Sequence, residues 1–167
     1  MTQSTPRKSS FPPVVDPAVR ILICGSLPGD RSLAARQYYA HPQNQFWRLM
    51  AAVVDRDLPA LAYPDRLAAL LEAHVGLWDV VATAHRPGST DAALSAIAPN
   101  DIAALAATLP HLRAIAFNGG TALKHGLRQL GASGYATVAL PSSSPLHTIG
   151  FDAKLPGWME LRDHLRH

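Results

Sequence analysis

The sequence is poor in cysteine and has no long hydrophobic run. Its single cysteine, Cys24, excludes a disulfide framework and a zinc site built from cysteines. No apolar stretch approaches the roughly 18 residues that a membrane-spanning helix needs. Residues 1–19 lack the basic and then apolar pattern of a signal peptide. We therefore expect no membrane association and a cytoplasmic location.

The signature motifs of several enzyme classes are also missing. The chain has no Gly-x-x-x-x-Gly-Lys-Ser/Thr loop and no Gly-x-Gly-x-x-Gly turn, which argues against a P-loop nucleotidase and a dinucleotide-binding fold. It has no Gly-x-Ser-x-Gly elbow, which argues against a serine hydrolase. Its eight histidines show no paired spacing typical of metal ligands. We predict neither a metal nor a cofactor.

The chain does have the composition of a globular protein. With 167 residues, of which 48% are hydrophobic, it is long enough for one domain with a sizeable core. We expect residues 1–19 to form a largely flexible tail that becomes ordered near Phe11 or Val14, and residues 20–167 to form the single domain. The net charge of +3 and the isoelectric point of about 9.4 are compatible with a polyanionic partner. Small basic excesses are common, so charge alone leaves the kind of partner open.

Apolar runs alternate with helical patterns along the domain. The runs predict four strands, at 20–24, 77–81, 113–117 and 136–140. Apolar periodicity and capping residues predict helices that begin near Ser32, Asn44, Pro64, Asn100, Gly120 and Pro156. This alternation predicts an α/β fold, a three-layer sandwich in which a central four-stranded parallel sheet is flanked by helices.

Loops rich in polar and turn-forming residues follow the predicted strands. In a parallel sheet these loops meet at one edge, where open α/β sheets bind their ligands. They span residues 25–29, 79–89, 118–120 and 141–147. The first of them continues as a long polar and aromatic segment to Trp47, and such long loops are usually functional. The sequence therefore predicts an active site at this edge.

Three segments in these loops resemble the uracil-DNA glycosylase superfamily. They are Gly25-Ser26-Leu27-Pro28-Gly29, Tyr38-Tyr39-Ala40-His41-Pro42-Gln43-Asn44-Gln45-Phe46-Trp47 and Leu140-Pro141-Ser142-Ser143-Ser144-Pro145. Leu77-Trp78-Asp79-Val80 and Arg86-Pro87-Gly88-Ser89 make the chain most similar to the hypoxanthine-DNA glycosylase, or DNA-deoxyinosine glycosylase, branch. The resemblance covers residues 20–167. It implies a DNA repair enzyme that flips out a deaminated base, hypoxanthine or uracil, and hydrolyses its N-glycosidic bond, leaving an abasic site.

The resemblance makes Asn44 the catalytic residue that orients the attacking water. An amide oxygen can hold a water molecule but cannot take its proton, which suffices if the glycosidic bond breaks first. The alternative role is an N-cap of the helix that follows. Leu27 occupies a position where mismatch-specific relatives carry a catalytic asparagine, and this puts strong uracil excision in doubt. No lysine stands at a matched catalytic position, so we expect a monofunctional glycosylase.

The same resemblance predicts a set of base-binding residues. Gly25 and Ser26 line the pocket, and Phe46 stacks on the flipped base unless it is a core residue of its helix. Asp79 accepts a hydrogen bond from the ring N–H of hypoxanthine or uracil, or else bonds a loop amide. Asn118 contacts the base edge or forms a turn.

Contacts to the DNA backbone and stack are predicted in two other loops. Ser142, Ser143 and Ser144 resemble a phosphate-gripping loop, and Arg86 is a further phosphate contact. Leu146 matches the apolar wedge that fills the gap left by the flipped base. His147 contacts phosphate or the leaving purine.

The partner that these residues imply is double-stranded or single-stranded DNA that contains a deaminated base. We expect the protein to act on it as a monomer. Two other functions stay open on the sequence. The chain could bind damaged or single-stranded DNA with little catalysis, or hydrolyse a small molecule, because a fold does not fix a function.

Overall fold

A four-stranded parallel sheet forms the centre of the computed structural model, which describes residues 7–166. Its strands are β2 (Ile21–Gly25), β3 (Val75–Asp79), β6 (Ala114–Asn118) and β7 (Ala136–Leu140). Their spatial order is β3-β2-β6-β7, and all three neighbouring pairs run parallel. Strand β2 is buried along its whole length, as expected for an inner strand covered on both faces. The predicted central sheet is confirmed, with strand boundaries that differ from the prediction by at most two residues.

Helices cover both faces of this sheet. They are α1 (Asp30–Ala35), α2 (Phe46–Val54), α3 (Tyr63–Glu72), α4 (Ile102–Ala107), α5 (Gly120–Leu130), α6 (Phe151–Met159) and α7 (Arg162–Leu165). One core cluster joins the sheet to α2, α3 and α6, and a second joins it to α4 and α5. Two cores on opposite faces make the predicted three-layer sandwich, which is confirmed.

Helix α5 lies unusually close to strand β6. A Cβ atom on Gly126 would fall 2.0 Å from the ring of Phe117, so glycine is the residue that allows this approach. None of the helices within residues 7–166 is long and apolar enough to cross a bilayer.

A second sheet was not predicted from the sequence. It is antiparallel, in the order β1-β4-β5, and consists of β1 (Arg7–Ser9), β4 (Val81–His85) and β5 (Ser95–Pro99). Residues 7–19, which the sequence assigned to the N-terminal tail, contact both sheets. Strand β1 pairs with β4, Val14 bridges to Leu77, and Val19 is fully buried. Residues 1–6 lie outside the described part of the chain.

The last predicted helix also begins earlier than expected. Helix α6 starts at Phe151 and contains Pro156 in its interior, whereas the prediction placed that proline at the first helical position. Lys154 and Trp158, one turn apart on one face, are both fully buried. Each donates a hydrogen bond to a backbone carbonyl of the loop after β7, which fixes the helix on both sides of Pro156.

Candidate active site

A cavity of about 360 Å³ opens at the carboxyl ends of the parallel strands. This volume lies in the range of small-ligand sites. The loops that the sequence placed at this edge do meet around it. Its lining includes residues 25–32, Tyr38, Tyr39, His41, Asn44, Asp79, Ser89, Asp91, Asn118 and residues 142–146.

Asp79, the last residue of β3, is a buried carboxyl group in the cavity wall. Its residue is 3% exposed, and its Oδ2 atom has no hydrogen-bond partner within residues 7–166. Burial and the nearby Asp91 raise the pKa of Asp79 to about 7, against the opposing charge of Arg86. A buried polar atom left unpaired costs free energy. Asp79 is therefore suited to a ligand that completes its hydrogen bonds.

Gly25 leaves the space that Asp79 occupies. A Cβ atom at this position would lie 2.7 Å from Asp79 Oδ1 and 3.2 Å from the Tyr39 hydroxyl. Gly25 is buried and lines the cavity, as predicted. Its contribution is room for two neighbouring side chains.

The aromatic ring that lines the cavity is that of Tyr39 and not that of Phe46. Phe46 is fully buried and absent from the lining, so its predicted stacking on a base is wrong. Tyr39 lines the cavity, and its ring stacks on Phe46 with the centroids 3.9 Å apart and the planes at 17°. Its φ of +55° lies in the left-handed region, which is unusual for a tyrosine and is a kind of strain concentrated at functional sites.

Asn44 lies in the cavity wall just before α2. Its Oδ1 atom accepts a hydrogen bond from the Phe46 backbone N–H at 2.9 Å, so it helps to start the helix, although the N-cap position itself belongs to Gln45. An amide oxygen has a second lone pair and the amide nitrogen two N–H groups. The two roles weighed for Asn44 are therefore compatible in one side chain.

Asn118, at the end of β6, connects the sheet to the serine loop, residues 142–144 after β7. Its Oδ1 accepts from the backbone N–H of Ser143 and its Nδ2 donates to the Ser143 hydroxyl, both at 2.9 Å. Ser143 is 1% exposed. These two hydrogen bonds form a clamp between Asn118 and Ser143 inside the protein. The predicted contact of Ser143 with phosphate is therefore wrong. Asn118 still lines the cavity.

Ser142 and Ser144 flank this clamp and are partly exposed. The hydroxyl of Ser142 accepts from the Ser144 N–H, and the hydroxyl of Ser144 accepts from the Leu146 N–H, both at 3.2 Å. Each hydroxyl keeps its own proton free to donate. The loop is held from behind by Lys154, which donates to the Ser144 carbonyl, and by Trp158, which donates to the Pro141 carbonyl. These two hydroxyls can therefore still meet phosphate oxygens.

Leu146 projects at the rim of the cavity. It is 63% exposed and belongs to the cavity lining, which is the geometry that a wedge requires. Its neighbour His147 is exposed but is not part of the lining. The structure thus brings Leu146 to the cavity and leaves His147 outside it.

Arg86 does not face solvent. Its side chain is fully buried, and it donates to the carbonyls of Leu27 at 3.3 Å, Pro28 at 2.6 Å and Gly88 at 2.9 Å. The predicted contact of Arg86 with phosphate is therefore wrong. A guanidinium has five donors in a fixed fork, and here it fastens the 25–29 loop to the loop after β4.

Asp91 is a cavity residue that sequence reasoning missed. The hydroxyl of Ser26, which is predicted to bind base, donates to Asp91 Oδ2 at 2.7 Å. Arg86 lies 3.6 Å from Asp91 Oδ1. Burial raises the pKa of Asp91, while the Ser26 hydroxyl, Arg86 and His125 oppose the rise. No sequence signal marks it, because it stands in a weakly patterned segment.

The fold and the cavity define an α/β protein with a pocket of ligand size at the carboxyl edge of a parallel sheet, lined by a tyrosine ring and a buried carboxyl group. Comparison with known protein families identifies the superfamily to which the chain belongs. The model of the uracil DNA glycosylase superfamily matches residues 12–162, and the chain belongs to that superfamily. The predicted superfamily is confirmed, and with it the prediction of a DNA glycosylase.

Relatives are found among curated proteins and solved structures. The chain is 40% identical over 156 residues to a hypoxanthine DNA glycosylase of Methanosarcina barkeri, an alignment that covers 92% of this chain and 97% of the relative. It is 42% identical over 137 residues to a hypoxanthine DNA glycosylase of Methanosarcina acetivorans, covering 82% and 86%. The solution structure of a candidate uracil DNA glycosylase from Methanosarcina acetivorans superimposes with a TM-score of 0.84 at 38% identity, covering 96% of this chain and 99% of that one.

Proposed function

We propose that this glycosylase removes hypoxanthine, and more slowly uracil, from DNA and leaves an abasic site. The observation that carries the proposal is the unpaired Oδ2 atom of the buried Asp79 carboxyl group, which shares one cavity with the Tyr39 ring and the Asn44 amide. The names of the two curated relatives support hypoxanthine as the base.

The cavity takes a nucleotide that has left the DNA stack. Extrusion costs a few kcal/mol of unstacking, which contacts in the pocket must offset. Stacking of the base on Tyr39 offsets part of this cost, since base–aromatic stacking is worth roughly 1–3 kcal/mol. The Tyr39 ring is itself backed by Phe46, so it is a rigid platform.

Asp79 reads the edge of the base. Hypoxanthine and uracil both carry a ring N–H next to a carbonyl group. A carboxyl group that is neutral can accept from this N–H and donate to the carbonyl, whereas the ionised form can only accept. The pKa near 7 keeps both forms accessible at neutral pH.

Hydrolysis follows a dissociative course. The bond between C1′ of the deoxyribose and the base nitrogen breaks, and its electron pair leaves with the base. The water held by Asn44 adds to C1′, and the proton that it releases balances the charge of the departing base. The products are the free base and an abasic site.

The strand is left uncut. Cleavage at the abasic site would need an amine to form a Schiff base with the opened sugar. Within residues 7–166 no lysine lines the cavity. Lys154, which anchors the serine loop, donates to the Ser144 carbonyl from behind.

The DNA on either side is held by the loop after β7. Ser142 and Ser144 donate to phosphate oxygens without regard to sequence. Leu146 enters the gap that the extruded nucleotide leaves. We also propose that the enzyme acts as a monomer, because the large apolar side chains exposed within residues 7–166 are only Leu127, Leu146 and Ile149.

An excision assay tests this function. Duplexes that carry hypoxanthine, uracil, xanthine or a thymine mispair are incubated with excess enzyme, and the strand is then cleaved with alkali. We expect hypoxanthine to be removed fastest and the strand to break only after alkali. Faster removal of uracil in every context would contradict the base assignment. Binding without any excision would support the DNA-binding alternative instead.

A further inference from the structure

Asp91 is a second carboxyl group in the cavity, and the residues that surround it hold it in place. It lies in the short 3-10 turn Asp91–Ala93, after strand β4. The Ser26 hydroxyl fixes one of its oxygens at 2.7 Å, and the fully buried guanidinium of Arg86 lies 3.6 Å from the other. Burial raises the pKa of Asp91, and the hydrogen bond from Ser26 and the nearby cation oppose this rise by stabilising the carboxylate.

The exposure of the lining residues increases from the interior of the cavity to its rim. Asp79 is buried, Asp91 is partly exposed, and Leu146 at the rim is exposed. A flipped nucleotide enters with its base innermost, while its phosphates remain with the DNA outside. The deoxyribose therefore lies at an intermediate depth, which is the depth of Asp91.

The reaction places positive charge on that sugar. When the bond from C1′ to the base breaks and its electron pair leaves with the base, the deoxyribose becomes oxocarbenium-like. Leu27 is apolar and offers the sugar no charge. Asn44 is neutral, so it orients water without balancing the charge. Preorganised charge at the point where charge develops is often the largest contribution to catalysis.

We propose that Asp91 is a catalytic residue whose carboxylate stabilises the positive charge that develops on the deoxyribose during base loss. This inference rests on the proposed glycosylase function. It assigns the two carboxyl groups different tasks, with Asp79 on the base and Asp91 on the sugar. Ser26 and Arg86 are the positioning residues that hold Asp91 toward the cavity.

The Asp91→Asn variant tests the charge alone. Asparagine keeps an oxygen that can accept from Ser26 but carries no charge. We expect the single-turnover excision rate on a hypoxanthine duplex to fall about 10²-fold or more, a loss typical of removing one electrostatic stabiliser. We expect the Kd for the same duplex to stay equal or decrease, because a negative charge near the polyanion has been removed. Asp65→Asn, an exposed change on α3, is the control for overall charge.

A second pair of variants covers a change in folding. Asp91→Glu and Asp91→Gln have the same length and differ in charge. We expect the Glu variant to be at least about tenfold faster. A rate for Asp91→Asn within threefold of wild type, or equal rates for Glu and Gln, would overturn the role of Asp91. Neither result would contradict the proposed function, which fails only if the wild-type enzyme excises no base.

Discussion

The ring of Tyr39 lies flat on the ring of Phe46, with 3.9 Å between the centroids and 17° between the planes. Phe46 in turn contacts Trp47 and Trp158 edge to face, so the platform continues into the core. Two adjacent aromatic rings thus have different tasks. The outer one faces the cavity, and the inner one belongs to the fold.

This relationship predicts different effects of substituting the two rings. Tyr39→Leu should weaken the binding of a hypoxanthine duplex in the excision-competent form by roughly tenfold to hundredfold, since base stacking is worth roughly 1–3 kcal/mol. Tyr39→Phe, which keeps the ring, should stay near wild type. Phe46→Ala should instead destabilise the fold by about 3–5 kcal/mol. The measurements are the enzyme concentration at half-maximal single-turnover rate and the Tm. Equal losses for Tyr39→Leu and Tyr39→Phe would contradict a stacking role.

The buried carboxyl group predicts a pH dependence of stability. The pKa of Asp79 in the folded state, about 7, lies above its ordinary value of 3.8. The folded state therefore binds more protons than the unfolded state between these values, and this residue lowers stability progressively as pH rises from about 4 to 7. Asp79→Asn removes the effect. In thermal melts from pH 4 to 8, the Tm of the variant should rise relative to that of wild type up to pH 7, and the difference in Tm should then stay constant. A gap that is constant over the whole range would contradict the shift.

Lys154 is expected to lower the stability of the folded state while it anchors the serine loop. It is fully buried, donates to the Ser144 carbonyl and has no carboxylate within 4 Å among residues 7–166. Burial lowers the pKa of its ammonium group, so wild-type stability should rise as pH approaches 10.5. Lys154→Met removes the buried charge, and its Tm at pH 7 should equal or exceed that of wild type, while DNA binding weakens because the loop loses an anchor.

Trp158→Phe is the matched control for that change, because it removes the other loop anchor without removing a charge. It should lower the Tm at every pH. A lower Tm for Lys154→Met at pH 7 would show that the hydrogen bond outweighs the buried charge.

Leu146 should act only on stacked DNA. Leu146→Ala leaves the gap in the stack unfilled, so the extruded nucleotide returns more readily. The burial of one leucine is worth roughly 1.5–3 kcal/mol, which is comparable with the cost of unstacking. Single-turnover excision should fall strongly for hypoxanthine paired with cytosine and weakly for the same oligonucleotide as a single strand. Equal losses on both substrates, or a large drop in Tm, would contradict the wedge.

The central sheet could be predicted from sequence because its strands are short apolar runs that alternate with amphipathic helices. The antiparallel sheet could not. Strand β4 follows β3 after one residue, so the two read as a strand and a loop, and β5 is a weak apolar segment. Strand β4 pairs with residues 7–9, which lie far away in the chain, and local patterns carry no information on such contacts.

The site shows the same limit. Asp79, Asn44 and Leu146 were placed correctly at the cavity because strand ends and loop positions determine where they lie. Phe46 and Arg86 were misassigned because residue type alone does not tell which ring faces a cavity or whether an arginine finds carbonyl partners inside the protein. Here Tyr39 covers Phe46, and the carbonyls of Leu27, Pro28 and Gly88 satisfy Arg86.

Substitution of Asn44 tests the proposed function most directly. Because Asn44 also accepts from the Phe46 N–H, Asn44→Ala removes both a helix contact and the water anchor. Asn44→Ser is the matched variant, since serine is a good acceptor at a helix start but is too short to hold the same water.

The measurement is single-turnover excision of hypoxanthine from a defined duplex, with the Kd and Tm of each variant determined in parallel. We predict that both variants bind the duplex with near wild-type Kd and lose most excision, and that only Asn44→Ala loses about 1 kcal/mol of stability. Excision by Asn44→Ser at the wild-type rate would contradict the account, because the side chain of Asn44 would then serve only to accept the Phe46 N–H at the start of α2.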